Sequence, residues 1–250
     1  MRFEGKVLFT TGAGSGLAEA VSRQFSAEGG RVAVLDLDGG KAEAVAADLQ
    51  GSIGIQLDAA DEDSVAAAVA TTVEKLGRID CVFNAAGHAD FGPIEEWSLE
   101  RWNRMLGVHA GGTFLSCKHT IPHLRAAGGG AIVNVASIAA ITAQPFNAPY
   151  GAAKAAIVGF TRQLSRDLAP EIRVNAVAPG RIKTGMTTPL YTERGGGDFD
   201  KGAALAIPGI PMGRIGEPRE IAEPVCFLLS NEASFITGQV IVPDGGETSI

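Results

Sequence analysis

Short apolar runs and longer amphipathic stretches alternate along this chain. The runs at 6–10, 32–35, 53–57, 81–83, 131–135, 174–177 and 240–242 predict seven strands. Helical patterns fill the gaps: one follows the first run into the twenties, then 41–49, 62–76, 98–121, 150–168 and 218–229. Strands alternating with helices of this length predict βαβ units and a parallel sheet. Runs such as VAVL and AIVNV are apolar at nearly every position, as strands covered on both faces require. The expected class is therefore α/β, with a doubly wound parallel sheet of about seven strands flanked by helices. No linker or repeat divides the 250 residues, a length that α/β folds often carry as one domain. One stretch, 185–210, contains RGGGDFDKG and breaks the alternation. It reads either as a mobile insertion over a site or as a plain surface loop.

Composition narrows the partners. Glycine, at 33 residues, far exceeds its usual share of about 7% and points to many tight turns. The net charge is -7 and no Lys/Arg cluster stands out, which argues against nucleic acid. Three scattered cysteines, Cys81, Cys117 and Cys226, give neither a disulfide framework nor zinc-ligand spacing. No stretch reaches membrane-spanning length, and the first apolar run is too short for a signal peptide. A soluble cytoplasmic protein without a metal is expected.

Candidate chemistry begins at Thr11-Gly12-Ala13-Gly14-Ser15-Gly16, between the first strand and the first helix. Glycines there let the backbone turn tightly and approach a pyrophosphate, and the helix N-terminus offers free N–H groups to it. Asp36 ends the second strand. A carboxylate there accepts hydrogen bonds from both ribose hydroxyls of NAD and repels the 2′-phosphate of NADP. Neither Ser15 nor Leu37 is a cation that would bind that phosphate.

A second group lies further on. Tyr150 and Lys154 in YGAAK are one helical turn apart on one face. A phenol titrates near pH 10 and a neighbouring ammonium favours the phenolate, so the pair predicts an acid/base usable near neutrality. Ser137 ends the fifth strand, at the edge where open α/β sheets bind ligands. Its hydroxyl is suited to steadying a substrate oxygen as charge shifts.

Together these motifs resemble the short-chain dehydrogenase/reductase family, in its single-domain branch with a Rossmann-type fold. The resemblance covers essentially the whole chain. It rests on TGAGSGLA, Asp36, LDAAD at 57–61, NAAG at 84–87, Ser137, YGAAK, NAVAPGRIKT at 175–184 and ITGQVIVPDGG near the end. It implies an NAD(H)-dependent enzyme interconverting a secondary alcohol and a ketone, with Tyr150 as acid/base, Ser137 holding the substrate oxygen and Lys154 lowering the phenol's pKa. Gly12, Gly14, Ser15, Gly16, Leu17 and Asp36 would hold the cofactor. Asp58 would bond the adenine; Asn84, Ala85 and Gly87 would support the cleft; Lys154 would also hold the nicotinamide ribose. Pro179, Gly180 and Thr184 would flank the nicotinamide. The 185–210 segment would be a substrate lid, and helices 98–121 and 150–168 would pair subunits in a homotetramer.

Two positions depart from the family pattern. Ala18 stands where a third glycine is usual. His109, in Val108-His109-Ala110-Gly111, stands where the family carries an asparagine whose carbonyl holds a water beside the lysine. The expectation is that His109 replaces it, through its carbonyl or its imidazole.

Other readings are weaker. A sugar-nucleotide epimerase or dehydratase shares the loop and the YxxxK pair but needs a larger substrate domain. A dinucleotide sensor without catalysis would be expected to lose Ser137, Tyr150 or Lys154. An NADPH-dependent 3-oxoacyl ketoreductase conflicts with Asp36. His119 and His123 are four apart, but Pro122 lies between them and no HExxH is present. His88 and Asp90 border a pocket or lie in an ordinary loop. Trp97 and Trp102 read as packing residues. Arg181 and Lys183 attract an anionic substrate or serve as structural cations.

Overall fold

The computed structural model describes residues 1–249. Seven parallel strands form one sheet in the order β3-β2-β1-β4-β5-β6-β7. They are β1 Val7–Thr11, β2 Arg31–Asp36, β3 Ile53–Gln56, β4 Cys81–Asn84, β5 Gly130–Val135, β6 Ile172–Val177 and β7 Val240–Ile241. The chain starts in mid-sheet, runs outward to β3, then crosses to β4 on the other side of β1. That reversal leaves a crevice beyond the carboxyl ends of β1 and β4, the usual ligand position in such sheets.

Alternate strand residues pack on opposite faces, as the pleat requires. Leu8, Val32, Val34 and Phe83 join a core with Val21, Phe25, Ile221 and Val225. Phe9, Ala33, Leu35 and Val82 join another with Val65, Val69, Leu76 and Leu124. The first core is covered by α1 Gly16–Ala27, α2 Gly39–Ala47 and α9 Pro218–Leu229. The second is covered by α3 Glu62–Leu76 and α5 Gly112–Ala126, with α6 Ala148–Leu168 alongside. Among the described residues no helix is long and apolar enough to cross a membrane.

Two expectations change. The single helix expected over 98–121 is α4 Leu99–Leu106, a π-helical turn Gly107–Gly111, and α5, which continues through Pro122. The 185–210 segment contains two short helices, α7 Thr188–Arg194 and α8 Phe199–Ala204. Tyr191 is buried and meets Phe199 edge-on at 5.9 Å. The glycines between them hid this pair from any periodicity. On the surface of α5, His119 Nε2 is 3.1 Å from Glu62 Oε1. Among the described residues no group of three or more His, Cys, Asp or Glu side chains is arranged for a metal.

Candidate active site

A cleft of about 310 Å³ runs from Asp36 and the glycine loop to Tyr150 and Lys154. Its floor is the carboxyl edge of the sheet. At one end the loop after β1 is fixed by neighbouring backbone. Thr11 Oγ1 accepts the amides of Ala85 and Ala86, each at 3.2 Å. Gly12 has φ +68°, and a Cβ there would stand 2.9 Å from Ala86 Cα. Only glycine satisfies both conditions. The NAAG segment thus braces the glycine loop from behind. Gly14 does not line the cleft; its amide donates to Asp36 Oδ2 at 2.9 Å. Asp36 Oδ1 accepts from Asp38 N at 3.0 Å. The carboxylate is therefore held in place with lone pairs to spare, and it lines the cleft.

Ser15 is the N-cap of α1, yet its side chain makes no capping bond. The first amides of α1, at Gly16, Leu17 and Ala18, begin the helix along the cleft wall. Orphan N–H groups and the positive helix end suit a phosphate. Across the cleft, a Cβ on Gly16 would be 3.6 Å from Thr184. These residues fit a dinucleotide: a glycine turn, an uncapped helix start and an anchored carboxylate lie along one groove. Ala18 is buried in the first core without disturbing the turn.

At the other end, Ser137 follows β5 and its Oγ accepts Ala139 N at 3.1 Å. Pro179 and Gly180 follow β6; Ile138 N donates to Pro179 O, and Gly180 N to Pro243 O. Helix α6 presents Tyr150 and Lys154 to this edge. Lys154 is buried, its Nζ donating to Val135 O at 2.8 Å and standing 5.6 Å from the Tyr150 ring centre. Burial holds its ammonium down to about 7. Burial also pushes the Tyr150 phenol up to about 12, with Ser137 pulling the other way. In the protein alone burial is the larger effect on both groups, because desolvation penalises both charged forms.

His109 lies in the π-helical turn, buried, with its ring edge-on to Tyr150 (centroids 5.3 Å apart, planes at 89°). Its Nε2 is 2.9 Å from the carbonyl oxygen of His88 and 3.2 Å from His88 N. As donor it bonds to the first, as acceptor to the second. Its Nδ1 is buried without a partner. Burial, then the Lys154 charge, bring the imidazole pKa down to about 3, so the ring is neutral near pH 7. The carbonyl of His109 accepts the Thr113 hydroxyl at 2.8 Å, so one of its lone pairs is already engaged. Space for the ring comes from Gly87, where a Cβ would stand 2.3 Å from His109 Cε1. On its other side Tyr150 meets Phe91 edge-on at 6.2 Å.

Ser137, Tyr150, Lys154, His109, Gly12, Ser15, Gly16, Leu17, Asp36, Ala85, Gly87, Pro179, Gly180 and Thr184 all line the cleft. Asp58 and Asn84 do not. Asp58 is exposed in the turn before α3, where its Oδ1 accepts Ala60 N. Asn84 is buried beneath the cleft and donates to Asn134 Oδ1 at 2.8 Å, which links it through Asn134 to Thr161 on α6. Sequence reasoning missed Phe91, Met186 and the Val135 carbonyl. No motif marks them.

Residues 12–248 match the family described as enoyl-(acyl carrier protein) reductase. The chain is 36% identical over 251 residues to the 3-oxoacyl-(acyl-carrier-protein) reductase FabG of Thermotoga maritima, covering 98% of this chain and 99% of that one. It is 39% identical over 254 residues to D-threitol dehydrogenase of Mycolicibacterium smegmatis, covering 99% and 94%. The solved ligand-free aldohexose dehydrogenase of Thermoplasma acidophilum superposes with a TM-score of 0.92 at 32% identity, covering 99% of this chain and 95% of the other.

Proposed function

The chain belongs to the short-chain dehydrogenase/reductase family of nicotinamide-dinucleotide oxidoreductases, and we propose that it interconverts a secondary alcohol and a ketone with NAD(H), using Tyr150 as acid/base. The observation that carries this reading is one continuous cleft with Asp36 at one end and Ser137, Tyr150 and Lys154 at the other. A bound nicotinamide dinucleotide supplies the hydride acceptor or donor.

The chain's own residues manage the proton and the oxygen. In the reduction direction Tyr150 gives its phenolic proton to the substrate oxygen; burial keeps that phenol protonated, at about 12. In oxidation Tyr150 takes the hydroxyl proton, and the phenolate form needs a cation beside it. Lys154 lies 5.6 Å from the Tyr150 ring centre and, with its ammonium held down to about 7, its charged form favours the phenolate. Ser137 donates its hydroxyl to the substrate oxygen while charge develops there. The neutral His109 ring, packed against Tyr150, positions the phenol rather than ionising itself. Asp36 favours NAD, since a 2′-phosphate would meet a carboxylate already held toward the cleft. Lys41 packs beside Asp36 but is directed to Asp38 at 3.5 Å.

The test is absorbance at the reduced nicotinamide band, with secondary alcohols and ketones and both NAD(H) and NADP(H). Tyr150→Phe should lower kcat by about 10²–10⁴-fold while the dinucleotide still binds. Turnover by the variant at the parental rate would remove Tyr150 from the chemistry.

A further inference from the structure

Resting on the oxidoreductase reading above, we propose that the substrate is a neutral, largely apolar secondary alcohol or ketone, gripped by Phe91, Ile94, Phe146 and Met186 without any countercharge. Phe91 and Met186 stand at the Tyr150 end of the cleft and Ile94 and Phe146 on the loops beside Phe91, and all four remain open to solvent: Phe91 by 40%, Met186 by 42%, Ile94 by 58% and Phe146 by 63%. Phe91 touches the Tyr150 ring edge. Met186 lines the same cleft as Ser137 and Tyr150. Ile94 and Phe146 line a second alcove of about 510 Å³, whose wall includes Ala139, bonded through its amide to Ser137 Oγ, and Gly151, next in the chain to Tyr150. Apolar surface gathered round a reactive group marks a binding surface rather than chance exposure.

Phe146 supports this independently. It is the non-glycine residue of the described chain with positive φ, at 60°. A bulky residue is strained in that conformation. Its carbonyl is fixed by Gly92 N at 3.1 Å, so the loop after β4 and the loop before α6 hold each other while the ring stays exposed. Folding gains nothing from a strained phenylalanine that faces water. A ligand that covers the ring would gain from it.

The charges nearby argue the same way. Of the cations near the Tyr150 end, all but Arg104 already have a partner. Arg101 meets Asp90 at 2.6 Å, and Arg181 meets Glu247 at 3.0 Å. Lys183 Nζ stands 4.8 Å from the Phe199 ring centre, and Lys154 donates to Val135 O. Arg104 lines neither cavity. His88 is held toward its neutral form by burial, then by Arg104. Glu95, in contrast, lines the alcove and repels anions. A carboxylate entering here would lose its water without gaining a partner, which is costly. Asn147 offers the one buried neutral contact on this wall: its Oδ1 has no partner and it lines the alcove, so it suits a hydroxyl at the far end of the substrate.

The test compares ring ketones that differ only in charge, 4-methylcyclohexanone and 4-oxocyclohexanecarboxylate, with the purified protein and NADH. The methyl ketone should show at least about tenfold higher kcat/KM. Phe91→Ala and Phe146→Ala should each lower kcat/KM for it several-fold, mainly by raising KM, with NADH affinity by fluorescence titration unchanged. Equal or better turnover of the carboxylate overturns the inference and leaves the oxidoreductase reading standing. Parental KM in both alanine variants overturns it as well. No turnover of either ketone, with Tyr150→Phe indistinguishable from the parent, overturns the reading beneath it and the inference together.

Discussion

At the glycine-loop end of the cleft the wall is mostly main chain; at the Tyr150 end it is side chains. Gly12 and Gly14 are pressed against the Ala86 backbone and the Asp36 carboxylate, and a Cβ at either would come within 3 Å of them. Around Tyr150 the contacts are rings: His109 on one edge, Phe91 on another, with Phe146 and Met186 free to meet a ligand. The backbone end tolerates few residue types at fixed spacing. The side-chain end tolerates many, so long as some ring or chain fills the volume. One molecule can therefore keep its cofactor and change its substrate by altering only one half of the cleft.

The sharpest way to break the contrast is to put a steric lock of the first kind into the second half. Gly87→Ala drives a methyl group into the His109 ring. It should cost about 1–3 kcal/mol of stability, and lower kcat by at least about tenfold as His109 displaces Tyr150. Adding His109→Ala should recover part of both losses, measured by denaturant midpoint and kcat in a double-mutant cycle. Independent, additive effects would mean that the two residues are not coupled.

Next in size is the carboxylate. Asp36→Ser with Leu37→Arg removes the charge and adds a cation at a position 62% exposed. The ratio of kcat/KM for NADP(H) over NAD(H) should rise about 10–100-fold, roughly 1.4–2.8 kcal/mol. An unchanged ratio would end the assignment of Asp36 to cofactor choice.

The smallest effect is a slope. Burial lowers Lys154 from 10.5 to about 7, so between those values the unfolded chain binds more protons than the folded one. Stability should therefore rise with pH across that window. Tyr150, raised from 10.0 to about 12, contributes the opposite trend only above pH 10. Urea unfolding from pH 7.5 to 9.5 should show a positive slope that flattens in Lys154→Met. Parallel slopes would mean that Lys154 is not desolvated as the geometry requires.

What the sequence made legible follows the same division. Strands buried on both faces are apolar at nearly every position: VAVL has no exception, and AIVNV has one, Asn134, whose amide is satisfied by Asn84 and Thr161. The glycine loop is readable because collisions forbid substitutes. The π-helical turn was not readable: the apolar pattern of 98–121 continues through it, and periodicity does not count an i→i+5 bond. Nor was the depth of the Lys154–Tyr150 pair: spacing places the two on one face but says nothing of the burial that raises the phenol and lowers the ammonium. Asn84 stands in the right motif yet faces Asn134, because a strand residue's side is decided by its neighbours across the sheet.

The contact between residues 87 and 109 also constrains history. A histidine ring at 109 fits only over a residue without a Cβ at 87, whereas glycine at 87 excludes nothing at 109. The order of two such changes therefore matters: histidine at 109 is accommodated without strain over glycine at 87, and a side chain added at 87 afterwards strains the histidine. Residue 109 works as a ratchet on residue 87, and the pair, 22 positions apart in the chain, changes in one direction more readily than in the other.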